Sequence, residues 1–226
     1  MEFLISDFNG AEKYYAGAGA PEWSDLEKIL RSMPLHLHAS DQSGIQGTLI
    51  FDPKGTNAYL KSNAKAAGWE KIRVPKQFEA FGKDWDAGKR GTLAEWQFSN
   101  YPFLANNLMR SEVVIGSRVQ LQGVGRVRAL VVVTKAGLFP ASQSTLYFEQ
   151  ARAQLEAASN FKVFSIPIRL VGLTIPDGAR EVEFTRSDYG GRYHRDARET
   201  EKRKAKVEWA DRSRLYEMPR VSFKLA

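Results

Sequence analysis

The stretch DAGKRGTLAEWQF, residues 86–98, reads as two extended arms joined by a Gly- and Lys-rich turn. Asp86 opens it, and Glu95 and Gln97 come later in a run that is otherwise apolar. In a strand, successive same-side positions lie about 6–7 Å apart, so Glu95 and Gln97 share a face with Leu93. Ala94, Trp96 and Phe98 fill the other face. A turn over 87–91 returns the preceding segment and brings Asp86 toward Glu95. Two carboxylates near one point require a cation, a shared proton or separation, because like charges at short range do not both ionise cheaply. A divalent ion such as Mg²⁺ meets that need, being held by carboxylates, waters and substrate phosphates. Gln97 is no base, but its amide can orient an attacking water. The same residues also fit the solvated face of an edge strand beside Lys89 and Arg90. Spacing alone leaves both readings standing.

Downstream of the hairpin the pattern continues. Ser99 and Asn100 end the strand, and YPFLANNLMRSEVVI (101–115) reads as a helix with Pro102 in its first turn. VRALVVVTK (127–135) is a β-branched run suited to a strand buried on both faces. FPASQSTLY (139–147) leaves it as a second polar loop, and STLYFEQARAQLEAAS (144–159) is a helix that Ser144 or Thr145 would cap. FKVFSIPIRLVGL (161–173) is a further strand in which Pro167 marks an edge or a bulge. Upstream, PEWSDLEKILRSM has helical spacing, GTLIFDPKGTN is a short strand running into a Pro/Gly turn at Asp52, and a helix covers 57–67. REVEFTRS alternates as a strand, and GVGRVR (123–128) is a hairpin turn rather than a dinucleotide loop. The order favours an α/β or α+β domain with a mixed sheet flanked by helices, as a single unit over 1–226.

Composition narrows the function. The 226 residues include no cysteine, which excludes disulfides, thiolate catalysis and Cys-based zinc sites and fits the cytoplasm. No apolar run approaches the roughly 18 residues that span a bilayer, and MEFLISDFNG lacks the features of a secretory leader. Net charge is +7, and residues 186–226 carry twelve Lys/Arg against seven Asp/Glu. That basic segment interleaves Tyr189, Tyr193 and Trp209 with Arg192, Arg195 and Arg198. It suits either phosphate neutralisation or a solvated tail. Loops rich in Asn, Ser and Gln can read base edges, so two of them beside a metal-type site suggest a DNA cleft.

These residues resemble the BglII-type family of type II restriction endonucleases. MPLHLHASDQ (33–42), LIFDPKGTN (49–57), DWDAGKRGTLAEWQFSNYPFLANN (84–107), FPASQSTLYFEQA (139–151), IPIRLVGL (166–173) and RYHR (192–195) carry the resemblance. It implies a restriction-endonuclease-like core, a homodimer around double-stranded DNA, and Mg²⁺-dependent phosphodiester hydrolysis. It also implies a palindromic site with a GATC core, AGATCT or a relative such as RGATCY, cut to leave 5′ overhangs. Under it Asp86 and Glu95 are metal ligands and catalytic residues, the Trp96 carbonyl is a third ligand, and Gln97 positions the water. Ser99, Asn100, Gln143 and Ser144 match base-reading positions, and Tyr193 and Arg195 belong to a DNA-contacting C-terminal arm over 185–226. The chain departs from the family in three places. Gln143 replaces an asparagine, Gly191 stands where the family has a lysine, and the segment holding the water-supporting residue is gapped, with Lys71 as the candidate. A DNA-binding protein that no longer cuts and a modification-dependent nuclease are the rival expectations.

Other features carry alternatives. His36 and His38 lie on one side of an extended LHLH and lack a third metal ligand, which favours a structural or DNA-proximal role. Asp84 competes with Asp86 for the metal. Gly88 and Lys89 fit either a phosphate contact or a solvated hairpin.

Overall fold

The computed structural model describes all residues except 99, 142–144, 191–193, 195 and 211–218. Its elements begin β1 (Glu2–Phe8), α1 (Ala11–Ala16), α2 (Ala20–Ser32), β2 (Leu35–Ala39), β3 (Leu49–Phe51), α3 (Pro53–Ala66) and β4 (Glu70–Arg73). A 3-10 turn (Lys76–Phe81) leads to β5 (Asp84–Lys89), β6 (Thr92–Trp96), α4 (Pro102–Ser117), β7 (Gln120–Leu121) and β8 (Gly125–Arg126). The chain continues as β9 (Ala129–Lys135), α5 (Phe148–Asn160), β10 (Ile168–Thr174), β11 (Glu181–Asp188), β12 (Glu199–Ala210) and β13 (Arg220–Leu225). One mixed sheet has the order β1-β10-β9-β6-β5-β4 and a second the order β13-β12-β11-β2-β3, while β7 and β8 form a hairpin of their own.

Alternation along the central strands builds two cores. Val131 and Val133 of β9 and Val171 and Leu173 of β10 face one core, which also takes Leu26, Leu30, Leu37, Phe184 and Ala205. Their neighbours Leu130, Val132, Ile168 and Leu170 face the other, against Leu104 and Leu108 of α4 and Phe148 and Leu155 of α5. Successive side chains of a strand point to opposite faces, so a continuous apolar run serves two layers at once. The sheet is therefore sandwiched between α4 and α5 on one side and α2 with the second sheet on the other.

Several expectations are corrected in detail. The 86–98 hairpin turns later than its glycines suggest: Lys89 pairs with Thr92, leaving only Arg90 and Gly91 in the turn, with φ of 41° and 85°. Two consecutive positive φ values define the primed turn that matches strand twist. Gly88 is a core position, because a Cβ there would come within 2.5 Å of Ile72 Cγ1 and 2.7 Å of Val124 Cγ2. Lys89 is neither solvated nor turned outward; its Nζ lies 2.6 Å from both Asp25 Oδ2 and the Ala67 carbonyl, tying β5 to α2 and α3.

Asp52 is a helix cap rather than a loop residue. It accepts from Lys54 N–H at 3.0 Å and Pro53 opens α3, so this helix begins four residues before the expected start. Pro167 stands at the entry to the central strand β10, where it needs no N–H and its carbonyl accepts from Leu130 at 2.9 Å. Helix α5 starts at Phe148, after Thr145 and Tyr147 have made isolated β-bridges to Asn100 and Lys135, so Thr145 is not its cap. The basic C-terminal segment is no loose tail: β12 and β13 pair within the second sheet, and Arg203, Lys204 and Lys224 meet Glu201, Glu181 and Glu208.

The connections place the site. β6, β9 and β10 run parallel, joined through α4 and α5, so the carboxyl ends of β6 and β9 open on one edge of the sheet. Open α/β sheets present their loops for ligands at that edge. The loops leaving β6 and β9 meet there, where Asn100 bridges Thr145.

Candidate active site

β5 carries Asp86 to this edge through a bulge. Its pairing with β4 shifts between Glu70↔Gly88 and Ile72↔Trp85, so one extra residue of β5 lies in the 86–87 region. Bulges end regular pairing and re-aim a side chain. The ladder to β6 runs no further than Ala87↔Ala94, and the Asp86 carboxylate takes over as partner, accepting from Trp96 N–H at 2.8 Å. This contact fixes Asp86 against the strand that bears Glu95.

Glu95 lies beside it. The Glu95 side chain is buried, and its Oε1 accepts from Arg110 Nη2 of α4. The two carboxyl groups lie close enough to affect each other's ionisation. Burial, then the neighbouring Asp86 charge, push Glu95 well above the usual carboxylate range, against the pull of Arg110. Asp86 keeps solvent-accessible surface, yet loss of water around its carboxyl still raises its pKa. Trp96 N–H, Glu95 and Arg110 oppose that rise, and the proton that the two facing carboxyls retain belongs to the pair.

Gln97 lies on the same face, as the strand period requires. Its Oε1 accepts from Asn107 Nδ2 at 2.9 Å and its Nε2 donates to the Asn100 carbonyl at 3.3 Å. Asp86, Glu95, Gln97, the Trp96 backbone and Asn100 thus converge at one end of the sheet. The structure does not place Asp84 with them. Asp84 pairs with Lys71 Nζ at 2.6 Å, which occupies the charge of both. Ser99, Gln143, Ser144, Tyr193 and Arg195 lie outside the described residues.

His36 and His38 do not form a pair. His36 packs against Tyr59 and His38 against Tyr189. His36 is buried, neither ring nitrogen has a partner among the described residues, and burial lowers its pKa, which keeps it neutral. The N-terminal turn of α3 also holds Tyr189 and His194. Tyr189 OH donates to Asp52 Oδ2 at 2.7 Å, and Lys54 Nζ donates to the His194 carbonyl at 2.6 Å.

Two site residues escape the sequence reading: Asn107 and Arg110. Asn107 and Arg110 are 8% and 4% exposed and occupy the stripe of α4 that otherwise holds Leu104, Leu108, Ser111 and Val114. Polar residues inside a core-facing stripe are the available signal, because such groups are buried only when paired. Lys135, fully buried at the end of β9, donates to the Leu146 carbonyl at 3.3 Å and lies over the rings of Tyr147 and Phe51. Burial lowers its pKa to about 7.

A divalent cation fits this donor set. Two facing carboxyl groups, one holding a proton to relieve the other, become hard oxygen ligands of the kind Mg²⁺ prefers once that proton is displaced. Among the described residues no group of three His, Cys, Asp or Glu side chains could hold a metal.

Residues 3–173 match the family model described as restriction endonuclease BglII/BglIII. The type II restriction enzyme BglII of Bacillus subtilis is 42% identical over 209 residues, covering 92% of each chain. A crystal structure of BglII complexed with a DNA 16-mer superposes over the whole of both chains with a TM-score of 0.92 at 38% identity. Free BglII gives 0.71 at 35% identity, over 92% of this chain and 95% of that one. The chain belongs to the BglII/BglIII family of restriction endonucleases.

Proposed function

We propose that this chain is a Mg²⁺-dependent type II endonuclease that cuts both strands of duplex DNA at a palindrome with a GATC core. AGATCT or its relaxed relative RGATCY is the site, and cleavage leaves 5′ overhangs. The observation that carries the reading is the Asp86–Glu95 carboxyl pair with Gln97 beside it, at the sheet edge where the Asn100 and Thr145 loops meet.

Asp86, Glu95 and the Trp96 carbonyl hold the ion in this reading. Bound Mg²⁺ would polarise the scissile phosphate and make a nearby water acid enough to lose its proton near neutral pH. The protein supplies orientation. Trp96 N–H fixes one oxygen of Asp86, Arg110 fixes one of Glu95, and the amide of Gln97 aligns the water for in-line attack. No step requires a covalent enzyme intermediate.

Base reading falls to Ser99 and Asn100 after β6 and to Gln143 and Ser144 after β9. Tyr193 and Arg195 in the 185–226 arm approach the outer pairs, and that arm brings the excess positive charge to the phosphates. A palindrome calls for two copies related by a twofold axis. Tyr101, Phe103 and Met109, each about half exposed at the start and along the outer face of α4, supply apolar surface for the homodimer. Among the described residues no helix is long and apolar enough to cross a membrane. Action in the cytoplasm belongs to the same reading.

The test is cleavage of a GATC-containing duplex with Mg²⁺ by wild type and by Asp86→Ala. Wild type nicks both strands. The variant loses roughly 10³-fold in rate, the scale of removing an electrostatic anchor at the reacting centre, and keeps its DNA affinity. Site-specific binding by wild type without any cutting would contradict the reading.

A further inference from the structure

The polar chain from Arg110 to Asn100 has a fixed direction. A guanidinium can only donate, so the group of Asn107 facing Arg110 Nη2 at 3.2 Å is its carbonyl oxygen. The amide nitrogen of Asn107 is therefore turned to Gln97, where it donates to Oε1 at 2.9 Å. Gln97 must then present its own NH₂ on the other side, and it does so to the Asn100 carbonyl, which can only accept. Arg110 at one end and a peptide oxygen at the other set the orientation of both amides between them. Flipping either one puts donor against donor.

Both ends have consequences. The same Arg110 nitrogen donates to Glu95, and Asn100 bridges Thr145 in the loop after β9. An asparagine in the interior of α4 is a poor helix former buried among leucines, where Leu or Ala would serve packing better.

We infer that Asn107 is a positioning residue that couples the amide of Gln97 to the Arg110–Glu95 pair, so that the seating of the Asn100 segment and the setting of the catalytic carboxylate depend on each other. Asn107 does not reach the reacting atoms. Its action lies in holding Gln97 the right way round. The role rests on the proposed nuclease activity for its bearing on cleavage, while the amide orientation stands apart from it.

Two substitutions separate this role from simple packing. Asn107→Asp keeps the acceptor for Arg110 and removes the donor for Gln97, so the Gln97 amide loses its orientation. Asn107→Leu keeps the volume and removes both contacts. In the protein without metal or DNA, both shift the Gln97 side-chain NH₂ resonances in ¹⁵N spectra. With Mg²⁺ and cognate duplex, both lower the single-turnover rate roughly 10- to 100-fold, the usual effect of losing an outer partner of a metal site. In a Gln97→Ala background the same substitutions cost less, because residues acting through one another are not additive.

Unmoved Gln97 resonances in both variants overturn the coupling, whether or not wild type cuts DNA. Full activity in Asn107→Asp overturns the positioning role, since a part limited to supporting Arg110 tolerates Asp. Losses that simply multiply in the Gln97→Ala background overturn it as well. A wild type that cuts no duplex sinks the nuclease reading instead, and the resonance shift still decides the orientation.

Discussion

Asp86 and Glu95 face each other because β5 and β6 form a two-residue hairpin with a bulge at the far end, and their charges are incompatible until something neutralises one. In the absence of a cation the pair keeps a proton. A carboxyl whose folded pKa is raised adds stability that is complete below its ordinary value of 4.5 and is lost as pH rises through the folded value. Glu95→Gln mimics the protonated form at every pH. Without divalent ions its melting temperature should therefore fall less than that of wild type between about pH 5 and about pH 8. Millimolar Mg²⁺ should then raise wild type more than Glu95→Gln, since a ligand stabilises only the state that binds it. Equal Mg²⁺ shifts in the two proteins would move the ion away from Glu95. Asp86, Glu95 and Gln97 were legible in the sequence because one hairpin and a period of two bring them together. Asn107 and Arg110 were not, since their contacts cross from a helix ten and fifteen residues along the chain.

At the scale of elements, the strands with continuous apolar runs were readable, and those defined by partners were not. β1 alternates weakly and takes its place from β10, where Asp7 pairs with Arg169 in a bidentate contact of 2.8 and 2.7 Å. Arg169 also lies 4.5 Å from the ring centroids of Tyr15 and Trp23, so the pair pins β1, α1 and α2 together. Asp7→Ala leaves that guanidinium buried and unpaired and should cost about 3–5 kcal/mol in denaturant unfolding. A loss below about 1 kcal/mol would place the pair among ordinary surface contacts. Lys135 makes the opposite case at the end of β9. Burial lowers its pKa from 10.5 to about 7, so its contribution is complete above the ordinary value and is lost as pH falls through that window. Lys135→Met should remove this slope, read as unfolding free energy against pH, and an unchanged slope would assign it elsewhere. Helix α3 started early and α5 late for a shared reason: caps are made by contacts, Asp52 to Lys54 in one and the Thr145 and Tyr147 bridges in the other.

For the molecule as a whole, the sequence indicated an α/β core but not its second sheet. Strands β12 and β13 are highly charged, and only the pairing of β11 with β2 shows that they continue a sheet rather than trail from it. Their cations are partly met by Glu181, Glu201 and Glu208, and the segment still carries excess positive charge. The most direct test of the proposed activity is digestion of a fully sequenced DNA with Mg²⁺ and mapping of every fragment end. Ends are predicted only at AGATCT or RGATCY sites, each with a 5′ overhang, and none when Asp86 is alanine. Ends scattered over the sequence, ends at sites lacking GATC, or an unchanged pattern with Asp86→Ala would contradict it.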